Sequence, residues 1–118
     1  MEIEDKTLSS AFDLFEDRLF KQYPQTVARN LKTQISYYNT HLFACVSLAR
    51  VKKKSQMPQP YFVLTLGLPY SLESERVAVT VEAYPGRWTT HIPISSEKDL
   101  DAELFSWLHD AYLFASVK

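Results

Sequence analysis

Across residues 7–23 the apolar side chains Leu8, Phe12, Phe15 and Leu19 recur at intervals of four, three and four, which is one stripe of an α-helix. Thr7 is the expected N-cap, and Pro24 ends the helix because its ring forces Tyr23 out of α geometry. Leu14 and Phe20 fall off the stripe and, with Leu113, are the candidate contacts for a homodimer. Beyond Pro24 the period shortens. Residues 26–30 read as extended, and residues 32–38 as a strand or strand edge rich in β-formers. Residues 42–48 carry apolar side chains on both parities, the pattern of a strand buried on both sides, with Cys45 as a small buried hydrophobe. Residues 49–59 combine basic charge with proline and read as a loop, after which residues 61–66 form a strand ending at Gly67.

Residues 77–94 read as a hairpin closed by Pro85 and Gly86, a pair suited to a type II turn. With Tyr84 opposite Arg87, a regular ladder pairs Glu82 with Thr89, Thr80 with His91 and Val79 with Ile92. Alternation then puts Val79, Val81, Trp88, Ile92 and Ile94 on one face and Thr80, Glu82, Arg87, Thr89 and His91 on the other. Ser96 and Asp99 form a capping box ahead of a final helix, whose apolar face is Leu100, Leu104, Trp107, Leu108, Ala111, Phe114 and Ala115. The expected fold is α+β: a mainly antiparallel sheet of four or five strands with the N- and C-terminal helices packed on one face. Residues 1–118 are expected to form one domain, with residues 1–6 flexible.

Composition changes this picture little. Apolar content of 46% and charged content of 23% are ordinary for a globular chain. A net charge of −1 gives no overall attraction to nucleic acid or to a membrane surface. Cys45 is the one cysteine, and no stretch has the length of a transmembrane span, so a cytoplasmic setting is expected. His41, His91 and His109 lie in different elements, and no phosphate-cradling glycine loop occurs, so neither a metal nor a cofactor is expected.

Three groupings can carry chemistry. In the register above, Glu82 lies between Arg87 and His91, a set able to orient an imidazole beside an anion-binding cation. Arg29, Lys32, Tyr37 and Tyr38 mix positive charge with rings. Arg50, Lys52, Lys53 and Lys54 offer phosphate contacts, against which stands the acidic first helix with Asp13, Glu16 and Asp17.

The run from Lys32 to Tyr37, the strand from Phe62 to Leu68, the segment Arg87 to His91 and the helix from Asp101 to Tyr112 together resemble an uncharacterised bacterial domain family, catalogued as a domain of unknown function. Its members look alike in a Lys-Ser/Thr-Gln-Ile signature, a basic-aromatic-His strand and a closing helix that ends in Ala-Tyr. Some relatives carry the label of predicted transport protein, which a chain lacking a membrane segment does not support. The resemblance implies that Lys32, Gln34, Arg87 and His91 are the positions to examine, and it brings no reaction with it. Together these readings give a binding module in which Lys32, Gln34, Tyr37, Glu82, Arg87 and His91 receive an anionic small molecule or a polar segment. One alternative is a small enzyme with His91 as base, Glu82 as its partner and Arg87 as anion stabiliser. Another is a nucleic-acid accessory domain acting through Arg50, Lys52, Lys53 and Lys54.

Overall fold

The computed structural model describes residues 1–117, so Lys118, the end of the expected domain, lies outside the described residues. Helix α1 (Lys6–Gln22) begins two residues earlier than the hydrophobic stripe requires: Asp5, not Thr7, is the N-cap, its carboxylate accepting from the Leu8 amide at 2.9 Å. It stops ahead of Pro24, where the Tyr23 amide donates to the Leu19 carbonyl. Ahead of it, Met1 and Ile3 pack against the core, and the terminal amine donates to the Leu31 carbonyl at 3.2 Å.

Among the described residues six strands form one antiparallel sheet: β1 (Val27–Asn30), β2 (Gln34–Tyr38), β3 (Leu42–Ser47), β4 (Phe62–Leu68), β5 (Val79–Tyr84) and β6 (Arg87–Ile94). The sheet has one strand more than the upper expectation because residues 26–38 fold as a hairpin, closed where the Leu31 amide donates to the Gln34 carbonyl. The spatial order is β1-β2-β3-β4-β6-β5, so the connection after β4 passes over the place of β6 and leaves β5 at the edge. A 3-10 turn, Glu97–Asp99, carries the Ser96/Asp99 capping box, and helix α2 (Ala102–Ser116) starts afresh on Asp101, whose carboxylate accepts from the Leu104 amide.

Both helices cover the same side of the sheet. Ile35 and Tyr37 of β2, Ala44 and Val46 of β3, Phe62, Leu64, Leu66 and Leu68 of β4, and Ile92 and Ile94 of β6 point into the layer held by Leu8, Phe15 and Leu19 of α1 and Leu104, Leu108 and Ala111 of α2. Burying one such Leu or Phe side chain contributes roughly 1.5–3 kcal/mol. Phe15 meets Tyr37 and Phe62 at centroid distances of 6.0 and 6.4 Å, which ties α1 to the middle of the sheet. Leu14 and Phe20 are partly buried against this core, whereas Leu113 is 50% exposed. No helix among the described residues is long and apolar enough to cross a membrane.

The last hairpin keeps its turn and changes its register. Gly86 takes φ +83°, as the second central residue of a type II turn must, and Tyr84 faces Arg87. A bulge then inserts Ala83, so that Glu82 pairs with Trp88, Val81 with Thr89, Thr80 with Thr90 and Val79 with His91. The twist of a type II turn mismatches that of paired strands, and a bulge supplies local twist at the cost of one unpaired residue. On β6 the expected alternation survives; on β5 it is inverted, leaving Val81 53% exposed.

Candidate functional site

The side of the sheet turned away from the helices is set by the same registers. Arg29, Ser36, Cys45, Thr65, His91 and Val79 oppose one another in turn, making one row across all six strands. Gln34, Tyr38, Ser47, Gly67, Arg87 and Thr89 share this face by parity. Among the described residues none of its strand positions carries Asp or Glu.

Hydrogen bonds run along the row. His91 Nδ1 lies 2.8 Å from Thr65 Oγ1, and Gln34 Nε2 donates to the buried Ser36 hydroxyl at 2.9 Å. Burial pushes the Cys45 thiol pKa up, while a hydrogen bond from Thr65 and the nearby charge of Arg87 pull it back down. Burial lowers the pKa of His91, which favours the neutral imidazole. Arg87 reaches from β6 across β4: its Nη1 donates to Thr89 Oγ1 at 3.1 Å, and its guanidinium lies over Gly67, where an added Cβ would stand 2.8 Å from Cζ. Gly67 is inside a strand, and its missing side chain is the space the guanidinium occupies. Among the described residues no carboxylate forms a salt bridge with Arg87.

Of the expected site, Gln34, Arg87 and His91 lie on the open face, with Arg87 and His91 on β6 and Gln34 three strands away in the row that ends at Pro93, at the opposite end from Arg87. Glu82 is on the other side, beside Trp88, where its carboxylate accepts from the Gly86 amide at 3.2 Å and braces the turn. The reason is the Ala83 bulge, which shifts β5 by one residue between Tyr84 and Glu82. Tyr37 is fully buried under α1, its hydroxyl donating to Glu16 at 2.7 Å; burial and that bond hold the phenol far above its ordinary pKa. Lys32 is exposed in the β1–β2 turn, at the end of the sheet remote from Arg87. Sequence reasoning missed Ser36, Thr65 and Gly67 as parts of this face. A usable signal was Gly67 itself, one of two glycines in the chain and placed within a run of strand formers.

The basic connection after β3 closes the far end of the same face. Val63 is fully buried although it points away from the helices, and Met57 is buried outside the helix-side core. Lys52, Gln56 and Pro58 line a depression of about 250 Å³ together with Glu75, Asp99 and Pro93 of β6. The connection therefore lies over the Val63 and Pro93 end, leaving Lys53 and Lys54 exposed beside the face. Among the described residues no group of three His, Cys, Asp or Glu side chains could hold a metal ion.

No curated protein and no solved structure matches the chain. One family model matches it over residues 2–115, nearly its whole length. The chain belongs to that family, the domain of unknown function DUF5655.

Proposed function

We propose that this chain is a binding module whose open sheet face receives an anionic group at Arg87, from a small molecule or a polar segment. The observation that carries the reading is the state of Arg87: a half-buried guanidinium laid over Gly67, bonded to Thr89 and free of any carboxylate salt bridge among the described residues. A planar fork of this kind presents its remaining N–H donors to one carboxylate or phosphate. His91, in the same strand and on the same face, supplies a second donor when protonated. The acid–base alternative has less support, because Glu82 is on the other side and the hydrogen bond of His91 goes to Thr65. A cytosolic setting belongs to the reading, supported by the single, free thiol of Cys45.

Amide and side-chain NMR titration with inorganic phosphate, sulfate and a panel of nucleotides tests it. Saturable shifts centred on Arg87, Thr89 and His91, lost in Arg87→Ala, are expected. Saturable binding that survives Arg87→Ala unchanged removes the assignment.

A further inference from the structure

The net charge of −1 conceals a partition. All 14 Asp and Glu residues lie within residues 1–22 and 69–118, while residues 23–68 hold Arg29, Lys32, Arg50, Lys52, Lys53 and Lys54 with no acid at all. The fold turns part of this division along the chain into a division between sides, with Glu75 and Asp99 remaining next to Lys52 in the depression at the Pro93 end. The acidic residues of the first helix, Asp13, Glu16 and Asp17, belong to the helix layer, and the Ala83 bulge takes Glu82 off the open face. Arg29 stands at one edge of that face, Arg87 toward the other, and the exposed Lys53 and Lys54 border its end. The objection raised by an acidic first helix is thereby met: that charge is on the opposite side of the sheet.

We infer that the occupant of the open face is a single strand of nucleic acid, its phosphates following the row from Arg29 to His91, with the Arg87 guanidinium over Gly67 on one side of that row and the Lys53–Lys54 border on the other. The inference rests on the anion-binding reading of Arg87 and names its ligand. At an inter-strand spacing of about 4.8 Å, the row from Arg29 to His91 spans about 19 Å, the scale of a short single-stranded site of about four nucleotides. The Arg29 guanidinium lies 5.0 Å from the centre of the half-buried Tyr38 ring, so a planar cation and an aromatic ring are offered together on the face. Bases of a single strand stack on such groups, and the bases of an intact duplex cannot reach them. Thr65 and Thr89 add hydroxyls along the path, and none of these contacts reads sequence.

Fluorescence anisotropy with a 12-nucleotide oligothymidylate is the test, run beside the phosphate titration of Arg87. Three to four phosphate contacts give a log–log salt slope of about −2 to −3, so affinity falls about 20- to 50-fold between 50 and 200 mM salt. Arg29→Ala and the double variant Lys53→Ala/Lys54→Ala each weaken oligonucleotide binding several-fold and reduce the slope. Lys21→Ala, on exposed α1 surface, leaves it unchanged. The double variant also leaves the phosphate titration of Arg87 intact, which separates the two readings. Phosphate shifts at Arg87 without oligonucleotide binding overturn the inference and spare the anion site; absence of both overturns both. Equal affinity for duplex of the same length, or binding to phosphatidylserine vesicles in place of the oligonucleotide, likewise overturns it.

Discussion

Gly67→Ala separates the position of the Arg87 guanidinium from its charge. The new methyl would stand 2.8 Å from Arg87 Cζ, inside van der Waals contact, and what must yield is the far end of a flexible side chain, not backbone. The φ of Gly67 is not in the left-handed region, so alanine fits the local backbone, and replacing Gly in such a place contributes about 0.4–1 kcal/mol to stability. Against this stands loss of the 3.1 Å bond from Arg87 to Thr89, a contribution of about 0.5–1.5 kcal/mol. The two nearly cancel, and the midpoint of urea unfolding should correspond to a net change within about 1 kcal/mol. Anion affinity behaves differently. Losing a charge-assisted contact costs about 1.5–3 kcal/mol, or roughly 10- to 150-fold in the phosphate Kd. Arg87→Lys should fall in the same direction, since an ammonium keeps the charge and loses the fork. A Gly67→Ala protein that melts normally and binds phosphate as tightly as the parent would show that the seat over Gly67 has no part in binding.

Tyr37→Phe removes the 2.7 Å bond to Glu16 while keeping the ring against Phe15; a loss of about 1–2 kcal/mol in denaturant unfolding is expected, and a change below about 0.3 kcal/mol would count the bond as idle. His91 has its pKa lowered by burial from the ordinary 6.5, so the unfolded chain takes up its proton first. Its contribution to stability is complete above about 6.5 and is lost as pH falls through the unfolded value toward the folded one. His91→Gln should flatten that limb, and an NMR midpoint at or above 6.5 would contradict the burial argument. Arg76 joins the connection before β5 to the start of α2, donating to Asp101 at 2.9 Å and Glu103 at 3.1 Å over the Trp107 ring; Arg76→Ala should cost about 1–2 kcal/mol. The Asp101 carboxyl is held below 3.8, first by the Leu104 amide and then by Arg76, so its stabilising effect is present above 3.8 and is lost as pH falls through the folded value. In Arg76→Ala its midpoint should move up toward 3.8 without reaching it, the Leu104 bond remaining.

What the sequence made legible follows from burial. On β6, Trp88, Thr90, Ile92 and Ile94 point one way and Arg87, Thr89, His91 and Pro93 the other, as period-2 alternation predicts, because one side lies in the helix-side core. β5 is an edge strand with exposed residues through its second half, so burial does not fix its parity and the turn could impose a bulge. The placement of Glu82 was lost there. Tyr37 and Gln34 were assigned to one site although they are three apart on a strand, and alternation alone sets them on opposite sides. Cys45, Thr65 and His91 could not be found by local spacing, since Cys45 meets Thr65 through the pairing of β3 with β4, and Thr65 meets His91 through that of β4 with β6, which the crossover after β4 produces.

Edge strands usually need charge or irregularity to keep other chains from pairing with them. Here β5 has its bulge, and β1 is four exposed residues long with Arg29 among them. These devices also shape the open face. The bulge that interrupts the β5 edge turns Glu82 toward the turn, and the cation that guards β1 is the one standing over Tyr38. A carboxylate kept beside Arg87 would compete with any incoming anion at close range, where a pair of opposite unit charges 4 Å apart is worth about 4 kcal/mol at the effective dielectric of a protein surface. One inserted residue, Ala83, therefore both blunts an edge and leaves Arg87 without an internal counter-ion, so a substitution that straightened β5 would be felt at the anion site before it was felt in the core.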